Sequence, residues 1–289
     1  MARLLDGRVA LVTGAGRGFG AGIARGLARA GAHVTIVDIN AAELAESENE
    51  CLNDGLIEES EVLSQVADVS DFGQMEVAVS QTINRWGRLD IVVNNAATMP
   101  LVSFADSDPS FWDNMLNVNL TGVYNGVKAA WPYLLRQGGG HCIAIASGAS
   151  VRGFVNEVAY CAAKHGIEGF TKALAMEAEP HNIAINTVGP GKLIKPTEIS
   201  REGKEAVDAA VRQKWADPID LASAFVWLSA QSPARFTGLR FDAGPIADAV
   251  AAEGYDFDIT PEKVTLYVDD FIARQDERKM WSGLEKANS

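Results

Sequence analysis

The chain has 289 residues, 47% hydrophobic and 22% charged, which suits a soluble α/β domain with a large core. Its net charge of −13, with no basic patch, excludes a nucleic-acid binder, because nothing clusters to neutralise phosphates. No apolar run reaches membrane-spanning length and the first residues lack the charged-then-apolar design of a signal peptide, so a cytoplasmic protein is expected.

Residues 8–13 form a short, nearly continuous apolar run, as a parallel strand covered on both faces requires. The run leads into Thr13-Gly-Ala-Gly-Arg-Gly-Phe-Gly20. A helix is expected from there through Ala30, with Ile23, Leu27 and Ala30 on one face and Gly31 ending it. Residues 33–38 read as a second strand ending in Asp38. Strand, glycine-rich turn, helix, strand and acid is the context in which such a turn cradles a dinucleotide. Gly14, Gly18 and Gly20 let the backbone approach a pyrophosphate, with Arg17 and Phe19 beside them, and the helix N-terminus offers unpaired N–H groups. Asp38 can accept hydrogen bonds from an adenosine ribose and would repel a 2′-phosphate. Ile39 supplies no basic alternative, so the expected cofactor is NAD. Arg17 argues the other way unless it contacts the pyrophosphate or solvent.

Residues 40–54 read as a polar helix with Leu44 inward, and residues 61–67 as a third strand followed by Asp68 and Val69. Asp71 caps a helix to Trp86 that Gly87 stops. Residues 89–94 read as a fourth strand, running into a turn at Asn95, Ala96 and Ala97. Asp108-Pro109 opens one long helix past Pro132 toward Gln137, carrying Asn119, which alone reads as a buried hydrogen-bonding side chain. Residues 141–146 form the fifth strand, and a helix is expected over 158–178. Residues 183–188 form the sixth strand, ending at Gly189-Pro-Gly191. A loop and short helix cover 192–214, Asp217-Pro218 starts another helix, and residues 239–241 give the last strand. The expected fold is a doubly wound parallel sheet, Rossmann-like, in one domain over residues 1–244. A C-terminal extension, 245–289, follows. Within it Thr260-Pro261-Glu262 resembles a helix start, and Val264, Tyr267, Val268 and Phe271 form an apolar stripe that packs on a subunit surface or closes as a lid.

Ser147, Tyr160 and Lys164 stand on the pattern S-x12-Y-x3-K. Tyr160 and Lys164, four residues apart on one helix, are neighbours. A phenol normally ionises near pH ~10, and an adjacent ammonium lowers that value toward general acid/base work near neutrality. Ser147, at the end of the preceding strand, could hydrogen-bond a substrate oxygen. A Y-x3-K pair is common on helix surfaces. What sets this one apart is convergence, since Gly14 to Gly20, Asp38, Asp68, Asn94 to Ala97, Ser147 and Pro190 all fall at carboxyl ends of expected strands, where such sheets bind ligands. Cys51, Cys142 and Cys161 have no metal or redox spacing, and no metal is expected. Cys142 and Cys161 read as buried thiols, and His165 as structural.

With these residues in place, the chain resembles the short-chain dehydrogenase/reductase family over roughly residues 5–244. The motifs are Thr13, Gly14, Gly18 and Gly20; Asn94-Asn95-Ala96; and Asn119, Ser147, Tyr160 and Lys164. The resemblance implies that Tyr160 exchanges a proton with the alcohol oxygen, Lys164 lowers its pKa and holds the nicotinamide ribose, and Ser147 polarises the oxygen. Asn119 would support a water linking Lys164 to solvent. Asp68 and Val69 would sit at the adenine, with Asn95, Ala96 and Ala97, and Pro190, Gly191 and Leu193, flanking the nicotinamide side. A homodimer or homotetramer joined through the helices bearing Asn119 and Tyr160 is also implied. Ala97 stands where the family usually has glycine, and Thr197 comes late for the threonine that follows Pro-Gly in relatives. The expected activity is interconversion of a secondary alcohol and a ketone with NAD. The alternatives are an NADPH-dependent reductase or a cofactor-binding protein without turnover. Arg152, Lys192 and Lys195 read as surface cations, with an anionic substrate as the alternative.

Overall fold

The apolar runs become the strands of one sheet in a computed structural model, which describes residues 3–53, 61–197, 199, 203 and 206–259. The strands are β1 Val9–Thr13, β2 His33–Asp38, β3 Val62–Val66, β4 Ile91–Asn94, β5 Gly140–Ile145, β6 Ile183–Gly189 and β7 Arg240–Asp242. Every pairing is parallel and the order is β3-β2-β1-β4-β5-β6-β7. The chain winds outward from β1 in one direction, then reverses at β4. A crevice therefore opens at the carboxyl ends of β1 and β4, where ligands bind in sheets of this kind.

The period of two along each strand feeds two cores. Ala10 and Val12 of β1 join Val34 and Ile36 of β2 and Ile143 of β5 on one face. That face is covered by α1 Gly18–Arg29, α2 Ala41–Asn53 and α8 Pro218–Ala230. Val9 and Leu11 point the other way, to Val92 and Cys142, beneath α3 Phe72–Trp86, α5 Gly122–Gln137 and α6 Val158–Ala178. Burial on both faces is why these strands read as unbroken apolar runs. The contact of α1 with α8 is close: a Cβ at Gly22 would meet Pro218 Cβ at 2.4 Å, and one at Gly26 would meet Ala222 Cβ at 2.3 Å. The predicted caps form. Asp71, Asp108 and Asp217 each accept a backbone N–H in the first turn of α3, of α4 Pro109–Leu116 and of α8.

Two elements differ from expectation. The single long helix over 109–137 is interrupted by a π-turn, Asn117–Thr121, in which Gly122 N–H donates to the carbonyl of Asn117, five residues back. After the short α7 Ala209–Arg212, α8 and β7, the chain forms a further helix, α9 Ala243–Glu253, not expected from the sequence. Its Ile246 and Ala247 enter the core beside α8, together with Ile259. The expected helix start at Thr260 and the stripe from Val264 to Phe271 lie outside the described residues. Among the described residues no helix is long and apolar enough to cross a membrane, and no cluster of His, Cys, Asp and Glu could hold a metal ion.

His141, on β5, is 1% exposed, and its Nε2 pairs with the carbonyl of Gln231 at 3.1 Å. Burial pushes the imidazole down to about 4, because the charged form loses its hydration. The native state therefore stays neutral where the unfolded chain takes up a proton. Stability falls as pH drops from about 6.5 to about 4, by up to about 3 kcal/mol, and levels off below that. His141→Gln should flatten this part of the acid limb in urea unfolding curves compared between pH 7 and pH 4.5. An unchanged slope would assign the acid sensitivity to carboxylates alone.

Candidate active site

The glycine-rich turn connects β1 to α1. Gly14 takes φ of +61°, and a Cβ there would lie 2.6 Å from Ala96 Cα, so only glycine fits. A Cβ on Gly20 would lie 2.2 Å from the carbonyl oxygen of Gly14. The turn is laced to the loop after β4. Asn95 Nδ2 donates to the carbonyls of Thr13 at 2.9 Å and Gly14 at 3.0 Å. In return Thr13 Oγ1 accepts the N–H groups of Asn95 and Ala96 at 3.0 and 3.1 Å. The Asn95 side chain is thus committed to shaping the turn.

Unlike α3, α4 and α8, α1 has no side-chain cap at its N-terminus, where Arg17 stands. Its first-turn N–H groups and partial positive charge are left for an anion. Gly18 and Phe19 line a cavity of about 440 Å³ in front of that end. A Cβ at Gly18 would meet no protein atom within 4 Å, so the glycine leaves room on that side. Gly14, Arg17, Asp38 and Ile39 also line the cavity, as do Asp68, Val69, Asn95, Ala96 and Ala97. Asp38 is held by Gly16 N–H at 2.9 Å and Asn40 N–H at 3.0 Å, which fixes both carboxylate oxygens at the cavity wall. Arg17 is engaged by partners of its own. Its guanidinium pairs with Glu43 at 2.8 Å and donates to the carbonyl of Thr197 at 3.1 Å. An uncapped helix end beside a fixed acid is what the pyrophosphate and ribose of a dinucleotide need.

Sequence reading missed Thr98, Asn114 and Val118, which also line the cavity. The first directly follows the turn at Asn95, and the other two precede Asn119 on the same helical stretch, so adjacency was the available signal. Thr197, read as late in sequence, reaches the cavity as well.

Ser147 lies just beyond β5 and caps a short 3-10 turn, Gly148–Ser150. Its Oγ accepts Ala149 N–H at 3.2 Å, and Ser150 Oγ accepts Ser147 N–H at 3.2 Å. The same hydroxyl neighbours the Tyr160 phenol and pulls its pKa down. Tyr160 and Lys164, one turn apart on α6, are both buried. Lys164 Nζ donates to the carbonyl of Ile145 at 2.8 Å and lies 5.6 Å from the centre of the Tyr160 ring. Asn119 sits in the π-turn, fully buried. Its amide donates to the carbonyls of Met115 and Thr98, both at 2.9 Å, and its Oδ1 accepts Thr98 N–H at 3.3 Å. Ser147, Tyr160 and Lys164 thus form one group, while the amide of Asn119 is given to the loop after β4.

One expectation is corrected here. Lys164 does not lower the Tyr160 phenol, which burial pushes up to about 12, with the neighbouring Ser147 hydroxyl pulling it partly back. The ammonium faces the ring and the Ile145 carbonyl, and burial pushes its own value down to about 8. Desolvation is the largest influence on both groups: at Lys164 it outweighs the charge of Glu168, and at Tyr160 the nearby Glu157 and Cys161 push the same way.

The four tetrad residues, Gly20, and Pro190, Gly191 and Leu193 do not line the 440 Å³ cavity. Gly191 takes φ of +66°, with the Pro190 carbonyl accepting Gly244 N–H at 2.9 Å. Leu193 is exposed, and its carbonyl accepts Ala216 N–H. Of the surface cations, Lys192 pairs with Asp248, Lys195 donates to the carbonyls of Pro196 and Ile199, and Arg152 lies over the ring of Phe154. His165 bonds the Cys161 carbonyl at 2.8 Å, as a structural histidine does.

Residues 8–207 match the sequence profile described as short chain dehydrogenase. The chain belongs to the short-chain dehydrogenase family. This dehydrogenase is 40% identical to the trans-4-hydroxycyclohexanecarboxylate dehydrogenase of Sinomonas cyclohexanicum, over 65% of this chain and 73% of that one. It is 31% identical to the (-)-trans-carveol dehydrogenase of Rhodococcus erythropolis, over 84% of this chain and 99% of the relative. Among solved structures, the carveol dehydrogenase of Mycobacterium avium in complex with NAD superposes with a TM-score of 0.72, at 28% identity, covering 85% of this chain and 99% of that one. This short-chain dehydrogenase is an oxidoreductase of the alcohol–carbonyl class and uses a nicotinamide cofactor.

Proposed function

We propose that this short-chain dehydrogenase oxidises a secondary alcohol to a ketone with NAD, or runs the reverse, with Tyr160 as the general acid/base. The observation that carries the reading is the group Ser147–Tyr160–Lys164, with Tyr160 and Lys164 buried and Ser147 half-buried, at the carboxyl edge of the sheet that also bears the uncapped turn and Asp38. The uncapped N-terminus of α1 would receive the pyrophosphate, Asp38 the adenosine ribose and Lys164 the nicotinamide ribose, and NAD when bound supplies the hydride acceptor. Ser147 holds the substrate oxygen beside the phenol. Tyr160 rests protonated at neutral pH, so it is ready to donate to a carbonyl oxygen and must shed its proton to oxidise an alcohol. Asn119 fixes the loop at Thr98 through two hydrogen bonds and so steadies a residue that lines the cavity. Residues 1–244 carry this chemistry, and 245–289 form the extension, which α9 joins to the core.

NADPH is the second reading, prompted by Arg17 at the cavity. Its engagement with Glu43 and the Thr197 carbonyl, beside a fixed Asp38, favours NAD instead. Asp38→Ala should cut the preference for NAD over NADP about 10- to 100-fold, the worth of a charge-assisted hydrogen bond. The check is the ratio of kcat/KM for the two cofactors, and a ratio unmoved by the substitution would end the assignment. A substrate panel followed by NADH absorbance tests the reading as a whole. Alicyclic secondary alcohols head it, as the names of the relatives suggest, followed by sugars, sterols, aromatic carbinols and hydroxy acids. Absence of NADH formation with the whole panel, together with no NAD binding by calorimetry, would refute it.

A further inference from the structure

Behind Ser147 lies an ion pair that the proposed chemistry does not use. Arg240 enters from β7, and Glu168 stands on α6, 72 residues earlier. Both side chains are largely buried, at 8% and 12% exposure. Arg240 Nη1 donates to Glu168 Oε1 at 2.8 Å, and Nη2 donates to the carbonyl of Ser147 at 2.9 Å. The second arm also lies 3.8 Å from Asp242 Oδ1, and Glu168 Oε2 accepts the Thr187 hydroxyl at 3.1 Å. One planar fork therefore ties β7 to α6 and to the main chain of the proposed catalytic serine.

Stability alone does not account for such a pair, because a well-packed apolar replacement usually serves a core as well or better. The geometry gives another reason. Tyr160, Lys164 and Glu168 follow at intervals of four residues, so they share one face of α6. Glu168 favours the charged form of Lys164 and Arg240 disfavours it. The charged and titratable groups around Lys164 are Tyr160 and Glu168 from its own helix and Arg240 from β7, and Asp242 on β7 couples in turn to Arg240 and Glu168. From the strand side it meets the neutral carbonyl of Ile145.

We propose that the Glu168–Arg240 ion pair is a positioning device for the catalytic centre: Arg240 clamps the main chain of Ser147, while Glu168 holds Arg240 in place and balances the charge of Lys164. This rests on the roles proposed for Ser147 and Lys164. A guanidinium suits the task because its rigid fork serves a carboxylate and a carbonyl at once, which the single ammonium of lysine cannot do from the same stem. Neither residue touches the reacting atoms.

The test uses the intact protein and the variants R240K, R240M and E168Q. The Lys164 side chain is titrated by NMR of 13C-labelled lysine, with its signal assigned by its loss in Lys164→Arg, and no substrate or cofactor is needed. E168Q should move the Lys164 midpoint further down, and R240M should move it up. R240K keeps the charge but loses the fork. It should leave the midpoint in place while lowering kcat about 10- to 100-fold, the scale of a misplaced reacting group, with the KM for cofactor unchanged. Midpoints that move together or not at all, or an R240K enzyme with wild-type kcat, would overturn the proposal. E168Q and R240K still decide the matter if R240M does not fold. Opposite midpoint shifts in a protein that turns over no alcohol would leave the charge-balancing role standing and remove the functional reading instead.

Discussion

Replacing Tyr160 with phenylalanine should lower kcat/KM about 10²- to 10⁴-fold, the range typical of a lost general acid/base. The ring stays buried in its cluster with Met115, Ala149 and Ala159, and only the hydroxyl beside Ser147 is removed. Stability should therefore change by about 1 kcal/mol or less. Turnover measured beside the thermal midpoint separates the two effects. Wild-type turnover in the variant would place the proton donor elsewhere and revive the reading of a cofactor-binding protein without catalysis. The pH dependence has a defined sign. With the phenol pushed up to about 12, alcohol oxidation should speed up as pH rises, because the base form becomes more populated. Carbonyl reduction uses the protonated form and should lose rate only toward the alkaline end.

Gly20→Ala is expected to be the most damaging single-atom change in the glycine turn. The new Cβ would lie 2.2 Å from the carbonyl oxygen of Gly14 and 2.4 Å from Asn95 Nδ2. The first of these is backbone and cannot swing aside. The second holds the two carbonyls that shape the turn. Either α1 retreats from β1 or the loop at Asn95 lets go, and both routes deform the end of α1 proposed to receive the pyrophosphate. The variant should lose about 1–3 kcal/mol of stability, as overpacked sites do, and weaken dinucleotide binding by a larger factor than stability alone implies. Calorimetric titration with NAD together with urea unfolding provides the check. Gly18→Ala is the control for space, since its Cβ meets no protein atom, although the left-handed φ of +58° there carries its own strain. If Gly20→Ala bound NAD like the wild type, the turn would not be the cofactor's seat.

Most of the fold was legible because its signals are local. A strand buried on both faces reads as a short, mostly apolar run, and residues 9–12 and 34–37 show that directly, with Thr35 the one polar member. Aspartates at positions 71, 108 and 217 announce helix starts by a chemistry that works within three residues. The hidden elements depend on distant partners or on an added residue. Helix α9 begins at Ala243 with Pro245 in its first turn, a placement that helices tolerate but that reads as loop without the packing of Ile246. The bond between Glu168 and Arg240 joins positions 72 residues apart, with no pattern linking them. The engagement of Arg17 with Glu43 is similarly non-local, and it changes what the arginine means for cofactor choice. The phenol of Tyr160 shows a different limit. Spacing identified its cationic neighbour, but only burial in three dimensions decides which influence dominates.

The widened turn at Asn117–Thr121 carries a consequence for how the protein can vary. Each residue of an α-helix advances the next by about 100°. Trimming one residue from this turn would swing α5 by that angle relative to α4. Gly126, whose missing side chain makes way for Asn94 Oδ1 where a Cβ would come within 2.0 Å, would then rotate off its seat. A bulkier neighbour would take its place against the central strands. The register between the two helices is thus interlocked with the interior of the sheet, and insertions or deletions should be far better accepted in the loop between β4 and α4 than across these five positions.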